Sequence, residues 1–276
     1  MARATGRYPI LDPIDQGTID TTDLAAIAAW HVLQGFLSAL SQLDPQNDKI
    51  VSGDIKGVAL NFNTLGIGNG LIDEYIQAPY HPEFAVNNTY GIKSINDTVY
   101  NHARFALNMI NGCLEQITAC RAAAADGGYN ASTPISSPSL PATFILCSEA
   151  QDMCRDNVEG PYYSYSGRGT YDIRHPKKEP TPPNYFVDYL DQAFVQNAIG
   201  VDLNYTKANE DVTYAFQSTG DWVFPNFRED LEYLLDRGLR VSLYYGDADY
   251  LCNWFGGEAV SLAVNYTHAA ELAAAG

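Results

Sequence analysis

The run LRVSLYYGDADYLCNWFGGEAV, residues 239–260, carries the side chains whose types and spacing suit chemistry. Residues 239–245 alternate apolar and polar, with Val241, Leu243 and Tyr245 on one side, which is the period of a buried strand. Gly246 ends that strand and Asp247 and Asp249 follow at once. Cys252-Asn253-Trp254 then opens a helix with Gly256 and Gly257 in its first turns. A carboxylate just past the carboxyl end of a strand lies where open α/β sheets keep their chemistry, and an acid there can orient a histidine. Gly-Asp-x-Asp also describes an ordinary turn, because both residue types tolerate tight backbone geometry. A calcium loop is a further option, since Asp247, Asp249 and Glu258 fall at positions 1, 3 and 12 of an EF-hand. That register puts Leu251 at a ligand position and Cys252 where the sharp turn needs glycine, so calcium is disfavoured and no metal is expected.

A relay acid needs a nucleophile and a base. No G-x-S-x-G elbow occurs in the 276 residues. The nearest serine-glycine cluster, Ser164-Tyr165-Ser166-Gly167-Arg168-Gly169, lacks the first glycine and any strand before it. Gly66, Gly68 and Gly70 give G-x-G-x-G, not the dinucleotide fingerprint, and no acidic residue follows at the required distance. His31 lies beside Trp30 inside a helical pattern, where a histidine is more often packed or solvated than catalytic.

The elements that must hold these groups follow from periodicity. Residues 20–42 form a helix with Asp20, Thr21 or Thr22 as N-cap and Leu24, Ile27, Ala28, Val32, Phe36 and Leu40 at helical spacing. Residues 57–66 read as a buried strand. Asp97 is expected to cap a helix to about residue 112, and 113–125 continues as a second helix. Residues 126–143, rich in Gly, Ser and Pro, form an exposed loop. NYFVDYLDQAFVQNAIG, 184–200, reads as one helix, and 227–238 as an amphipathic helix ended by Gly238.

Bulk properties bound the class. With 46% hydrophobic residues, nineteen tyrosines and eleven phenylalanines the chain is globular, not disordered. The formal net charge of −17 repels phosphate backbones, so nucleic acid is not an expected partner. No run approaches 18 apolar residues, and MARATGRYPILDP lacks an apolar h-region, so neither a membrane span nor a signal peptide is read. Cys113 and Cys120 are seven residues apart, as are Cys147 and Cys154. Seven residues is about two helical turns, so two antiparallel segments could be stapled twice. A four-cysteine zinc site is the rival, and it usually wants Cys-x(2–4)-Cys spacing. Asn-x-Ser/Thr acceptors stand at Asn87, Asn96, Asn130, Asn204 and Asn265. With paired cysteines they point to an oxidising secretory route, and a natural start upstream of Met1 is expected.

Several of these stretches together resemble the serine carboxypeptidases, which are α/β-hydrolases. GIGNGLID (66–73), GRGTYDIR (167–174), GDW (220–222) and GDADYLCNW (246–254) occur in that family's order with similar gaps. The resemblance implies an α/β chain with a partial α/β-hydrolase fold and an inserted, disulfide-stapled helical cap. Residues 1–75 would be partial hydrolase core, 76–185 the helical insertion, and 186–276 the return to a truncated core. The family's nested bridges imply Cys113 with Cys154 and Cys120 with Cys147, leaving Cys252 as a free thiol. Asp249 matches the acid of the triad, and Trp222, Leu251 and Cys252 match the substrate-lining positions. Peptide or protein C-termini are the implied substrate, no cofactor is implied, and the implied location is secreted or vacuolar.

The same resemblance shows departures. In the family a short strand, the motif Gly-Glu-Ser-Tyr-(Ala/Gly)-Gly and a long helix follow the first helix. Here SQLDP passes directly into QNDKIVSGD, so roughly a strand and a helix are lost between Asp44 and Gln46. The Gly-His-x-Val-Pro segment and the Asn-Gly-Gly-Pro-Gly segment are also absent, and His31, His81, His102, His175 and His268 stand in other contexts. The expectation is a serine-type carboxypeptidase by family that is inactive as this chain stands. The alternative is a non-catalytic peptide-binding or interaction homologue.

Overall fold

A computed structural model of the chain describes residues 21–40, 62–125, 142–179, 183–224 and 226–275. Helix α1, Thr22–Leu40, starts where the Thr21 hydroxyl accepts from Leu24 N at 3.3 Å. Asp221, 199 residues away, takes the Thr22 amide at 2.8 Å and the Thr22 hydroxyl at 2.5 Å. A distant carboxylate therefore stabilises the positive end of this helix.

Two strands pair in parallel: β1, Thr64–Gly68, and β2, Arg240–Tyr244, in the register Thr64 to Arg240 through Gly68 to Tyr244. Of the strand expected at 57–66, residues 57–61 lie outside the described residues, and the observed strand runs two residues past Gly66. The Tyr244 ring lies across Gly66 and Gly68, where the missing Cβ at Gly68 leaves it room. A Cβ on Gly68 would meet it at 2.5 Å and one on Gly66 at 3.6 Å. Neither strand is fully buried. Leu65, Ile67, Val241 and Leu243 are half-buried on one face, against Ile72, Leu231, Val260 and Val264. On the other face Tyr244 is 61% exposed.

From β1 the chain enters α2 (Glu74–Gln77), α3 (Tyr80–Val86) and α4 (Asp97–Asn108). The cap of α4 is Asn96, not Asp97: the Asn96 carboxamide oxygen accepts from Val99 N at 3.0 Å, while Asp97 pairs with Lys93 in the first turn. Helices α5 (Cys113–Ala123) and α6 (Ala142–Cys154) lie side by side and are joined by Cys113–Cys154 and Cys120–Cys147, with Cα separations of 4.7 and 4.8 Å. The loop expected at 126–143 lies outside the described residues up to 141. A π-helical turn, Arg155–Glu159, leads into α7, Gly160–Tyr165.

The helix expected over 184–200 is two: α8, Tyr185–Leu190, and α9, Ala193–Ile199. The break falls where Gln192 takes an extended conformation (φ −73°, ψ 134°) and the Asp191 carboxylate turns aside to accept from Tyr205 N at 2.6 Å. Helix α10, Glu210–Thr219, capped by Asn209, packs on α6 and ends at Gly220 with φ +74°. Only glycine fits there, because a Cβ would lie 2.3 Å from the Cys147 carbonyl carbon. Helix α11, Phe227–Asp236, feeds β2, and α12, Trp254–Ala263, and α13, Ala269–Ala275, follow. The α/β character and the stapled helical layer match the expected fold class. Among the described residues no helix is long and apolar enough to cross a membrane.

Candidate functional site

The acidic loop after β2 is held on three sides. Asp249 N donates to Gly246 O at 3.4 Å, closing the turn through Asp247 and Ala248. The GRGTYDIR segment brackets the loop through its backbone, with Ile173 N on Ala248 O at 2.9 Å and Tyr250 N on Thr170 O at 3.0 Å. Below it, the Tyr250 ring stacks on Tyr162 at 3.6 Å and its hydroxyl donates to Glu159 O at 2.8 Å. Asn253 then caps α12, accepting from Gly256 N at 3.0 Å and donating to Tyr250 O at 3.2 Å.

The two acids of the loop differ in kind. Asp247 is exposed and accepts from the Tyr90 hydroxyl at 2.7 Å. Arg174 lies 5.1 Å over the Tyr90 ring and grips Asp172 through two nitrogens at 2.8 and 2.7 Å, which holds the Asp172 carboxyl below its usual range. Asp249 is 5% exposed. Its Oδ1 accepts from Cys252 N at 3.1 Å and its Oδ2 from Asn69 Nδ2 at 2.6 Å. Burial raises its pKa, and the N–H groups of Cys252, Asn69 and Leu251 pull the other way, as does His81.

Asn69 comes from the turn that ends β1, and that turn is braced from several directions. Asn69 N donates to Tyr244 O at 2.8 Å. Gly70 O accepts from the Tyr245 hydroxyl at 2.8 Å and from Gln77 Nε2 at 3.1 Å. Gln77 Oε1 accepts from Ile72 N at 2.7 Å and Asp73 N at 3.0 Å. Asp73 in turn is paired with Arg121 at 2.9 Å and Arg228 at 3.5 Å, tying the turn to α5 and α11.

The expected substrate-lining residues fall in two places. Cys252 is a half-buried free thiol beside Asp249, and Leu251 is half-buried next to it. Burial and the charges of Asp249, Glu159 and Glu74 push the thiol up to about 12, so it stays protonated and is not a standing nucleophile. Trp222 packs instead against the core of the stapled helices, with its amide on Gln151 Oε1 at 3.2 Å. Glu74, buried, lies within electrostatic reach of both Cys252 and Trp222.

Glu74 belongs to a buried polar group that the sequence does not single out. Burial, then the charge of Glu159, raises its pKa well above the carboxylate range, with Trp222 and Arg121 working against them. Glu159 is raised by burial and accepts from the Tyr163 hydroxyl. His81 Nε2 lies 3.9 Å from Glu74 Oε1, and its ring is 5.5 Å from that of Tyr250. Burial lowers His81 to about 4, partly offset by the Tyr250 backbone and Asp249, so it is neutral at ordinary pH. No described group closes a hydrogen bond on either ring nitrogen. His81 is therefore near the acid without being oriented by it. Asn69 falls inside the GIGNGLID motif, but nothing in the motif pairs it with Asp249, and no run of residue types marks Glu74 or His81, because these contacts form across the fold.

Of the five glycosylation acceptors, Asn87, Asn96, Asn204 and Asn265 are exposed, and Asn130 lies outside the described residues. A cavity of about 360 Å³ lies between α5 and α6, lined by Asn111, Gln116, Ala119, Leu146, Glu149 and Asp152; none of the site residues borders it.

A family model described as serine carboxypeptidase matches residues 44–275. Carboxypeptidase S1 homolog B of Arthroderma otae is 40% identical over 281 residues, covering 91% of this chain and 42% of that protein. The carboxypeptidase Y homolog of Arthroderma benhamiae is 36% identical over 246 residues, covering 88% of this chain and 38% of its own length. Carboxypeptidase S1 of Penicillium janthinellum is 31% identical over 292 residues, covering 96% and 64%. The chain thus spans between 38% and 64% of the length of these relatives. Among solved structures, a prohormone-processing carboxypeptidase from Saccharomyces cerevisiae aligns with a TM-score of 0.45 at 16% identity, covering 78% of this chain and 43% of that one.

Proposed function

Because the chain belongs to the serine carboxypeptidase family, we propose that Asp249 is the acid of a Ser-His-Asp relay for removing C-terminal residues from peptides. We propose equally that these 276 residues do not run that reaction unaided. In such a relay serine attacks the scissile carbonyl, histidine takes the serine proton and later protonates the leaving amine, and aspartate fixes the imidazole. The observation that carries the reading is Asp249 itself: an acid at the carboxyl end of a strand, buried, with an N–H donor on each oxygen.

The chemistry halts for want of partners. The sequence has no elbow serine, the Cys252 thiol is protonated, and His81 is neutral, enclosed and unbonded to Asp249. Loss of relay members costs on the order of 10⁴–10⁶ in turnover. The purified chain is expected to leave an acyl-blocked dipeptide intact, at the level of its Asp249→Asn variant. Hydrolysis by the chain that disappears in that variant would refute the proposal.

In the same reading Trp222, Leu251 and Cys252 line the position of the peptide's terminal side chains, and 76–185 acts as a cap on core contributed by 1–75 and 186–276. Support for that division comes from packing: the cluster around Ile72, Leu231, Val260 and Val264 draws almost wholly on the two outer segments. A secretory route to the vacuole or outside the cell is supported by two closed disulfides and four exposed acceptor asparagines. Endoglycosidase treatment of the protein from its source should then raise its gel mobility; an unchanged band argues against that route.

A further inference from the structure

We propose that Asn69 is a positioning residue for Asp249: its carboxamide, delivered from the end of the neighbouring strand, fixes the acid's rotamer and keeps it ionised for an incoming imidazole. This rests on the reading of Asp249 as the relay acid.

Asp249 has two strong side-chain contacts, and they are not equivalent. The bond from Cys252 N is local, spanning three residues, and follows from the loop's own curvature. The bond from Asn69 Nδ2 spans 180 residues and is the shorter, at 2.6 Å. It exists only because β1 and β2 pair in parallel and end level with each other at Gly68 and Tyr244. The two strands thus deliver donor and acceptor to the same edge of the sheet.

The backbone at Asn69 supports a role for the side chain. Its φ is +50°, in the left-handed region, although glycines stand on both sides of it at 68 and 70. Asparagine tolerates that conformation better than most residues, but glycine takes it without strain. A strained residue persists where surrounding structure over-determines it. Here the Tyr244 carbonyl, the Tyr245 hydroxyl and Gln77 hold residues 69–73 in place, so the carboxamide is aimed by a rigid frame.

The chemistry fits the task. A carboxylate offers roughly four lone-pair sites, so one donor on each oxygen leaves room for an imidazole N–H. Amide donors favour the ionised form, which burial opposes, and only the ionised form stabilises an imidazolium. Asparagine supplies the donor without adding a second charge beside the acid.

The test is a ¹³C titration of the chain labelled at aspartate carboxyls, with the Asp249→Asn spectrum used to assign the Asp249 signal. Asn69→Gly keeps the backbone conformation and removes the donor. It is expected to move the Asp249 titration upward and, because a buried carboxylate loses a donor, to lower the urea midpoint at neutral pH. Asn69→Asp sets a second carboxyl at the same contact and is expected to move it further up, with the two groups titrating as a coupled pair. An Asp249 titration identical in the chain and in Asn69→Gly overturns the inference and leaves the relay reading intact. An upward shift in Asn69→Gly, with dipeptide hydrolysis by the chain lost on Asp249→Asn, sinks the reading that the chain is inert and leaves the inference standing.

Discussion

Replacing Gln77 by leucine tests whether one side chain holds the turn that carries Asn69. Gln77 is 2% exposed and serves three backbone groups: its oxygen accepts from Ile72 N and Asp73 N, and its amide donates to Gly70 O. Leucine has nearly the same volume, so no large cavity opens beside α12, where Gly256 approaches the Gln77 stem. Gly70 O keeps the Tyr245 hydroxyl, leaving two buried amides orphaned. Each unsatisfied buried donor costs about 1–3 kcal/mol, so Gln77→Leu should lose about 2–6 kcal/mol. Gln77→Glu retains the acceptor and should lose less from this source. Urea unfolding followed by far-UV circular dichroism measures the loss, with an unchanged m-value marking a change in stability alone. Hydrogen exchange gives a second reading: the Ile72 and Asp73 amides should be protected in the parent chain and exchange by local opening in Gln77→Leu. A loss below about 1 kcal/mol, with both amides still protected, would refute the claim that this side chain organises the turn.

The nested bridges divide their work by loop length. With the inner 27-residue loop closed, the outer bridge closes only the 14 residues left of its 41, so Cys113→Ala with Cys154→Ala should cost about 3 kcal/mol by urea midpoint. Gly220→Ala adds a Cβ against the Cys147 backbone at a positive φ, and a loss of about 2–5 kcal/mol is expected in the same assay. The Cys252 thiol, pushed up to about 12, should react with iodoacetamide at pH 8 far more slowly in the folded chain than in urea; equal rates would contradict its burial. For pH, the raised carboxyls of Glu74 and Glu159 contribute stability that is complete below pH 4.5 and lost as pH climbs through their folded values. His81, lowered to about 4, acts oppositely: its contribution is complete above 6.5 and lost as pH falls towards 4. Glu74→Gln should therefore flatten the alkaline side of a melting-temperature profile and leave the acid side, and an unchanged alkaline slope would count against the buried neutral acid.

The sequence by itself determined what depends on neighbours along the chain. The period of two over 239–245 gave β2, the glycine after it gave the acidic loop, and the helices expected at 20–42 and 227–238 contain the observed α1 and α11. Family motifs pointed to Asp249 as the acid proposed for the relay and suggested the proposed order of segments around the stapled helices. Where local signals compete, reading by pattern failed: Asn96 took the cap from Asp97, and Asp191 left its helix to bind Tyr205 N. Tertiary structure alone decided the contacts between distant segments. Parallel pairing set Asn69 against Asp249, Asp221 capped a helix 199 residues away, and packing enclosed Glu74, Glu159 and His81. The physical reason is that periodicity records which face of an element is apolar. Desolvation and long-range hydrogen bonds depend on which faces meet, and no single segment carries that information.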